Sequence, residues 1–197
     1  MNTPSNIALE KTADTSGVLS QILWIAFFAA GTVLSARLEI PHYPVPYTLQ
    51  TLMVLLAGAF LGPRNGFLSQ AAYLGAGILG APVFAGGAAG FACLLGPTGG
   101  YLLAFPLAAA LVGFIIRKRH SLPWVALSMA CGLVLVFALG AIQLSLFTTH
   151  RFSTALEAGV LIFSWWDLLK LSAASMIYFE IGKRWKRLPR QNSRDLR

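Results

Sequence analysis

Charge is scarce in this sequence. Only 11% of its 197 residues are Asp, Glu, Lys or Arg, and just 7 residues are acidic, against roughly a quarter charged in an average soluble domain. So few charges cannot clothe an ordinary water-facing surface. Cysteine is scarce too: Cys93 and Cys131 stand in separate apolar stretches without metal-ligand spacing and read as small buried hydrophobes. No G-x-x-x-x-G-K-[ST] occurs, so the chain lacks a P-loop for ATP, and no G-x-S-x-G marks a nucleophile. His42, His120 and His150 sit in separate loops without metal or triad spacing. "GAGILG" (Gly75–Gly80) matches G-x-G-x-x-G, yet no strand precedes it and no acidic residue follows at the right distance, which excludes a dinucleotide site.

What the chain has is apolar length. Hydrophobic residues make up 56% of it and the mean hydropathy is +0.68, the profile of an integral membrane protein. Apolar runs predict helices over Val18–Ala36, Thr48–Leu61, Gly66–Gly80, Gly99–Ile116, Pro123–Phe147 and Trp165–Ile181. The second and third are short for a hydrocarbon core that needs about 20 residues, and "GPRNG" between them has the residues of a tight turn. The fold class expected is therefore an all-α integral membrane protein of six transmembrane helices. Residues 1–17, "MNTPSNIALEKTADTSG", are polar without the basic start of a signal peptide and read as a cytoplasmic N-terminal tail. Residues 18–182 form the membrane domain, and residues 183–197 a basic cytoplasmic tail.

Orientation comes from the distribution of cations. The net charge of +8 raises nucleic acid as a partner, but the basic residues gather at span ends and in the tail, which suits a membrane surface and no nucleic acid. With the N-terminus inside, Lys11, Arg64, Arg117, Lys118, Arg119 and seven tail residues place 12 of the 15 Lys and Arg on the cytoplasmic side. Both termini are then cytoplasmic. Thr154-x-x-Glu157 and Ser164-x-x-Asp167 both resemble helix-start capping boxes, which predicts a short interfacial helix before the sixth span. Trp165 and Trp166 fit an interfacial aromatic belt.

Three stretches carry candidate chemistry. Asp167 and Lys170, three apart, share one face of the sixth helix, and intramembrane charges usually face a polar cavity because exposure to lipid costs about 2.5–3.5 kcal/mol. The alternative is a self-satisfied ion pair that only orients the helix. The uncharged segment Gly77–Phe105, "GILGAPVFAGGAAGFACLLGPTGGYLLAF", is rich in glycine, a poor helix filler that permits close backbone approach. Non-helical backbone at membrane depth survives only where protein covers it or it lines a cavity. Small-residue helix packing accounts for Ala72-x-x-x-Ala76-x-x-x-Gly80, but "APVFAGG" and "GPTGGY" break helices. Lastly "RLEIPHYPVPYTLQT" (Arg37–Thr51) is proline-stiffened, and its Tyr43, Tyr47, Thr48 and Gln50 suit an aromatic and polar lid, with a plain connector as the alternative.

These stretches together resemble the BioY family: "VPYTLQTLMVLLAGAFLGPRNG", then "GAPVFAGGAAG…LLGPTGGYLLAF", then Asp167-x-x-Lys170. That family comprises the biotin-binding membrane subunits (S components) of energy-coupling-factor transporters. The resemblance covers most of Arg37–Tyr101 plus the sixth helix. It implies a six-helix protein, without enzymatic activity or cofactor, that captures biotin from outside a bacterial cell membrane. Import would be powered by a separate transmembrane coupling protein and ATPase subunits, with Ala26-x-x-x-Ala30 resembling the small-residue pattern that docks the coupling protein. The expected ligand contacts are Asp167 for the ureido N–H groups and Lys170 for a ligand oxygen, with Thr98 adding a hydroxyl. Gly86, Gly87, Gly99 and Gly100 allow close backbone approach. Phe84, Tyr101 and Tyr47 form walls, and Thr48 and Gln50 belong to the lid. The chain departs from the family's P-F-x-P-G-D by reading "LIFSWWD", with Trp166 at the Gly. An S component for another vitamin, and a self-sufficient secondary carrier, are the rival readings.

Overall fold

The computed structural model describes residues 4–41, 45–147 and 165–182. In chain order these give α1 (Pro4–Arg37), a two-residue antiparallel ribbon of β1 (Glu39–Ile40) and β2 (Tyr47–Thr48), and α2 (Gln50–Ile78). A single 3-10 turn (Ala85–Gly87) and the short α3 (Ala92–Leu95) follow, then α4 (Gly99–Ile116), α5 (Leu122–Ser145) and α6 (Trp165–Gly182). The predicted interfacial helix, Ser164, the 183–197 tail, and His42, Tyr43 and His150 lie outside the described residues.

Four of these helices are long and apolar enough to cross a membrane: α1 over Gly17–Arg37, α2, α4 and α5. Their outward faces carry large apolar side chains, among them Leu34, Phe67, Phe114 and Val134, where a water-soluble protein would place charge. The chain is a multi-pass helical membrane protein. Helix α1 starts well before the expected Val18, so part of the polar lead-in is helical.

Helix α2 holds both short predicted spans, and it folds back on itself. Gly62 has φ 80° and ψ −177°, a conformation essentially reserved for glycine. A Cβ on Gly66 would come within 3.0 Å of the Gly58 Cα, and the Gln50 amide donates to the Tyr73 hydroxyl. In a straight helix those last two residues would stand about 35 Å apart. The reversal therefore occurs at Gly62 alone rather than over the whole of "GPRNG". Pro63 opens the second arm, where its missing N–H costs nothing.

Helix α4 fits against this hairpin through glycine. A Cβ on Gly113 would meet the Gly62 carbonyl carbon and the Pro63 nitrogen at 2.5 Å, and one on Gly58 would meet the Ala109 carbonyl oxygen at 2.3 Å. Close backbone approach is how helices gain packing energy where lipid already satisfies apolar side chains. The row Ala72–Ala76–Gly80, expected to pack in this way, does not: Ala72 and Gly80 are exposed. The buried face of the second arm is the other one, with Ser69, Gln70, Tyr73, Leu74 and Gly77. On it, Gln70 exchanges hydrogen bonds with Thr32 of α1 at 3.2 and 3.3 Å, so two fully buried polar side chains satisfy each other.

Candidate functional site

One end of the bundle gathers the β1–β2 ribbon, the irregular segment 79–98 and the first turn of α6, and among them lies a cavity of about 310 Å³. That is the size expected of a small-molecule site. Its walls are mostly apolar and aromatic: Phe84, Tyr101, Phe105, Phe137, Leu102 and Val136. Its only charged lining residues, among those described, are Asp167 and Lys170.

That pair is almost wholly buried, Asp167 at 1% and Lys170 at 6% exposure. Lys170 Nζ stands 2.6 Å from the Asp167 carboxylate and donates to the Thr48 carbonyl at 3.1 Å. Asp167 falls in the first turn of α6, where the helix dipole favours an anion. The ion pair is thus charge-assisted, tied to the neighbouring ribbon and open to the cavity. Trp166 is 45% exposed on the outer face, away from the buried Asp167.

Of the residues expected to form a lid, Tyr47, Thr48 and Gln50 line the cavity, joined by Val45, Pro46 and Thr51. The Thr48 hydroxyl donates to Gln50 Oε1 at 2.9 Å, while the Gln50 amide donates to Tyr73, whose own hydroxyl reaches the Val83 carbonyl at 3.4 Å. Gln50 is consequently fixed in orientation before any ligand arrives. Either side of residues 42–44 the chain pairs as a ribbon, Glu39 with Thr48 and Ile40 with Tyr47. Arg37 donates to the Pro82 carbonyl, and Glu39 accepts from Gly86 N–H at 2.9 Å.

The glycines sit differently from expectation. Thr98 lines the cavity, but Gly99 and Gly100 do not. They open α4 and are packed, a Cβ on Gly99 meeting the Leu94 carbonyl oxygen at 1.9 Å and one on Gly100 the Leu139 carbonyl oxygen at 2.4 Å. Their lack of a side chain serves helix contact with α3 and α5. Gly86 and Gly87 also stay off the cavity wall, with φ 66° and 74°. They shape a turn whose flanking Phe84, Ala85 and Ala88 are the lining residues. Gln143 of α5 steadies the far side by donating to the Leu94 and Gly96 carbonyls, each at 2.7 Å.

Sequence reasoning missed Thr51, Cys93, Phe105 and Phe137. Cys93, read as a core filler, is half-buried on the cavity wall. Phe105 follows Tyr101 by one helical turn, a spacing that would have found it. Ala26 and Ala30 lie apart from the cavity, exposed on α1 in one stripe with Leu19, Leu23, Phe27 and Leu34.

The chain is similar to known proteins in sequence and in fold. A structure of the S-component for biotin from an ECF-type ABC transporter superposes with a TM-score of 0.78 at 30% identity, covering 84% of this chain and 92% of that one. The biotin transporter BioY of Thermotoga maritima is 38% identical over 165 residues, 84% of this chain and 97% of that protein. A probable biotin transporter BioY of Pyrococcus horikoshii is 40% identical over 157 residues, 80% and 93% respectively. The family model described as the BioY family matches residues 6–187. The chain belongs to the BioY family.

Proposed function

We propose that this protein is the biotin-binding membrane subunit of a biotin uptake system, a transport protein and not an enzyme. The observation that carries the reading is the buried Asp167–Lys170 pair facing an otherwise apolar cavity, in a chain of this family. Biotin is an apolar bicycle with a ureido group and a carboxylate, so it needs an apolar slot with a few fixed polar groups. Asp167 accepts from the ureido N–H groups and Lys170 donates to a ligand oxygen. Thr98 and Gln50 add polar contacts, while Phe84, Tyr101 and Tyr47 hold the rings. The cavity lies under the β1–β2 ribbon, which we assign to the outer side of a bacterial cell membrane. The two arms of α2 count as separate spans, giving six with α6 and placing both termini in the cytoplasm, as the cation distribution requires.

The chain has no P-loop, so ATP hydrolysis belongs to separate subunits, joined through a transmembrane coupling protein. The exposed Ala26–Ala30 stripe of α1 supports docking there, since small residues let helices approach closely. Equilibrium binding to the purified protein decides the substrate. Tight, saturable binding of biotin with none of thiamin or riboflavin is the expected result, and preference for either other vitamin overturns it.

A further inference from the structure

Two hydroxyls on the cavity wall are unpaired among the described residues. Tyr101 is buried at 7% exposure, and neither its hydroxyl nor that of Thr51 has a hydrogen-bond partner among the described residues. Both residues line the cavity. Helical threonine commonly returns its hydroxyl to the carbonyl one turn back, as Thr32 does to Phe28 at 2.9 Å, but Thr51 makes no such bond. A buried polar group left unpaired costs about 1–3 kcal/mol, and a phenylalanine would fill the Tyr101 site without that cost. The Tyr101 ring is also tightly held. A Cβ on Gly140 would lie 2.3 Å from it, and it meets Phe137 edge-on with centroids 6.2 Å apart.

The charged pair restricts what these hydroxyls can take. Asp167 and Lys170 cancel each other, so the ligand group that best satisfies both is neutral and carries donors together with an acceptor. The ureido group does so. A carboxylate placed there would bring two anions together in a poorly solvated site. We infer that the hydroxyls of Tyr101 and Thr51 form a second polar anchor in the cavity, donating to the ligand's carboxylate while the ion pair holds the ureido group. A ligand bound this way ties α2, α4 and α6 together.

This inference rests on the biotin reading, and the two fail differently. Binding of biotin and of its primary amide is measured by calorimetry on purified wild type, Tyr101→Phe and Thr51→Val. Hydrogen bonds to a charged group are worth about 1.5–3 kcal/mol, so each variant should lose about tenfold or more in biotin affinity while losing less than about threefold for the amide. The ligand-free melting temperature of Tyr101→Phe should equal or exceed that of wild type, because an unpaired hydroxyl has been removed; a merely structural hydroxyl would lower it. Unchanged biotin affinity in both variants overturns the inference, as does an equal loss for both ligands. If Tyr101→Phe does not fold, Thr51→Val decides by the same comparison. Failure of the wild type to bind biotin overturns the biotin reading itself, and the anchor with it.

Discussion

Lys170 of α6 donates to the Thr48 carbonyl at 3.1 Å across 122 residues of chain. The same ammonium therefore balances Asp167 and fastens the β1–β2 ribbon to the last helix. Emptying or filling the cavity must act on this junction, because both partners are lining residues.

Replacing Asp167 by Asn removes the anion and leaves a buried ammonium. Loss of one partner from a buried pair is costed at about 3–5 kcal/mol, part of which appears as instability and part as lost binding. Biotin affinity of Asp167→Asn is expected to fall tenfold or more while the protein still inserts and purifies. Unchanged affinity in folded protein would remove Asp167 from the site.

Energy coupling can be tested without mutation. Sealed vesicles containing this protein alone should bind labelled biotin yet show no accumulation on adding ATP to the cytoplasmic face. ATP-driven accumulation in the absence of other subunits contradicts the division of labour proposed above.

The hairpin turn gives a paired stability test. Gly62→Ala forces a side chain into a glycine-only conformation and toward the Arg117 guanidinium, with an expected cost of about 1–3 kcal/mol. Gly75→Ala, in a helical stretch with nothing within 4 Å of the new Cβ, should be neutral or stabilising by about 0.5–1 kcal/mol. Thermal melting in detergent reads both, and equal melting temperatures for the two variants would refute the reversal at Gly62.

Gln143 tests the wall behind the cavity. Gln143→Leu strips donors from the Leu94 and Gly96 carbonyls, so hydrogen exchange should rise over residues 93–98 and biotin should bind several-fold more weakly. Protection identical to wild type would show that α3 holds its place without this side chain.

Much of this was legible in the sequence for a simple reason. An uninterrupted apolar run in a lipid-facing protein has few alternatives to a helix, so α4 begins and ends where predicted, and α5 and α6 differ from expectation by a residue or two. The Asp167–Lys170 face was legible because a span tolerates buried charge only for cause. Gly99 and Gly100 show the limit: a glycine makes room for a ligand and for a neighbouring helix by the same means, and only the Leu94 and Leu139 carbonyls decide between them. Thr51 was invisible because one hydroxyl after Gln50 carries no pattern until the register of α2 against the cavity is known.

The cancelling charges at the cavity have an electrical consequence. Because the described residues of the lining contribute one anion and one cation, they supply no net countercharge for the carboxylate that biotin carries at neutral pH. Inward passage of the ligand then moves a net negative charge against an inside-negative membrane potential, at about 2.3 kcal/mol for each 100 mV traversed. Left to equilibrate passively, the anion would be excluded from the cell by about fiftyfold at that voltage. Retention inside must therefore be driven by something other than the gradient of biotin itself.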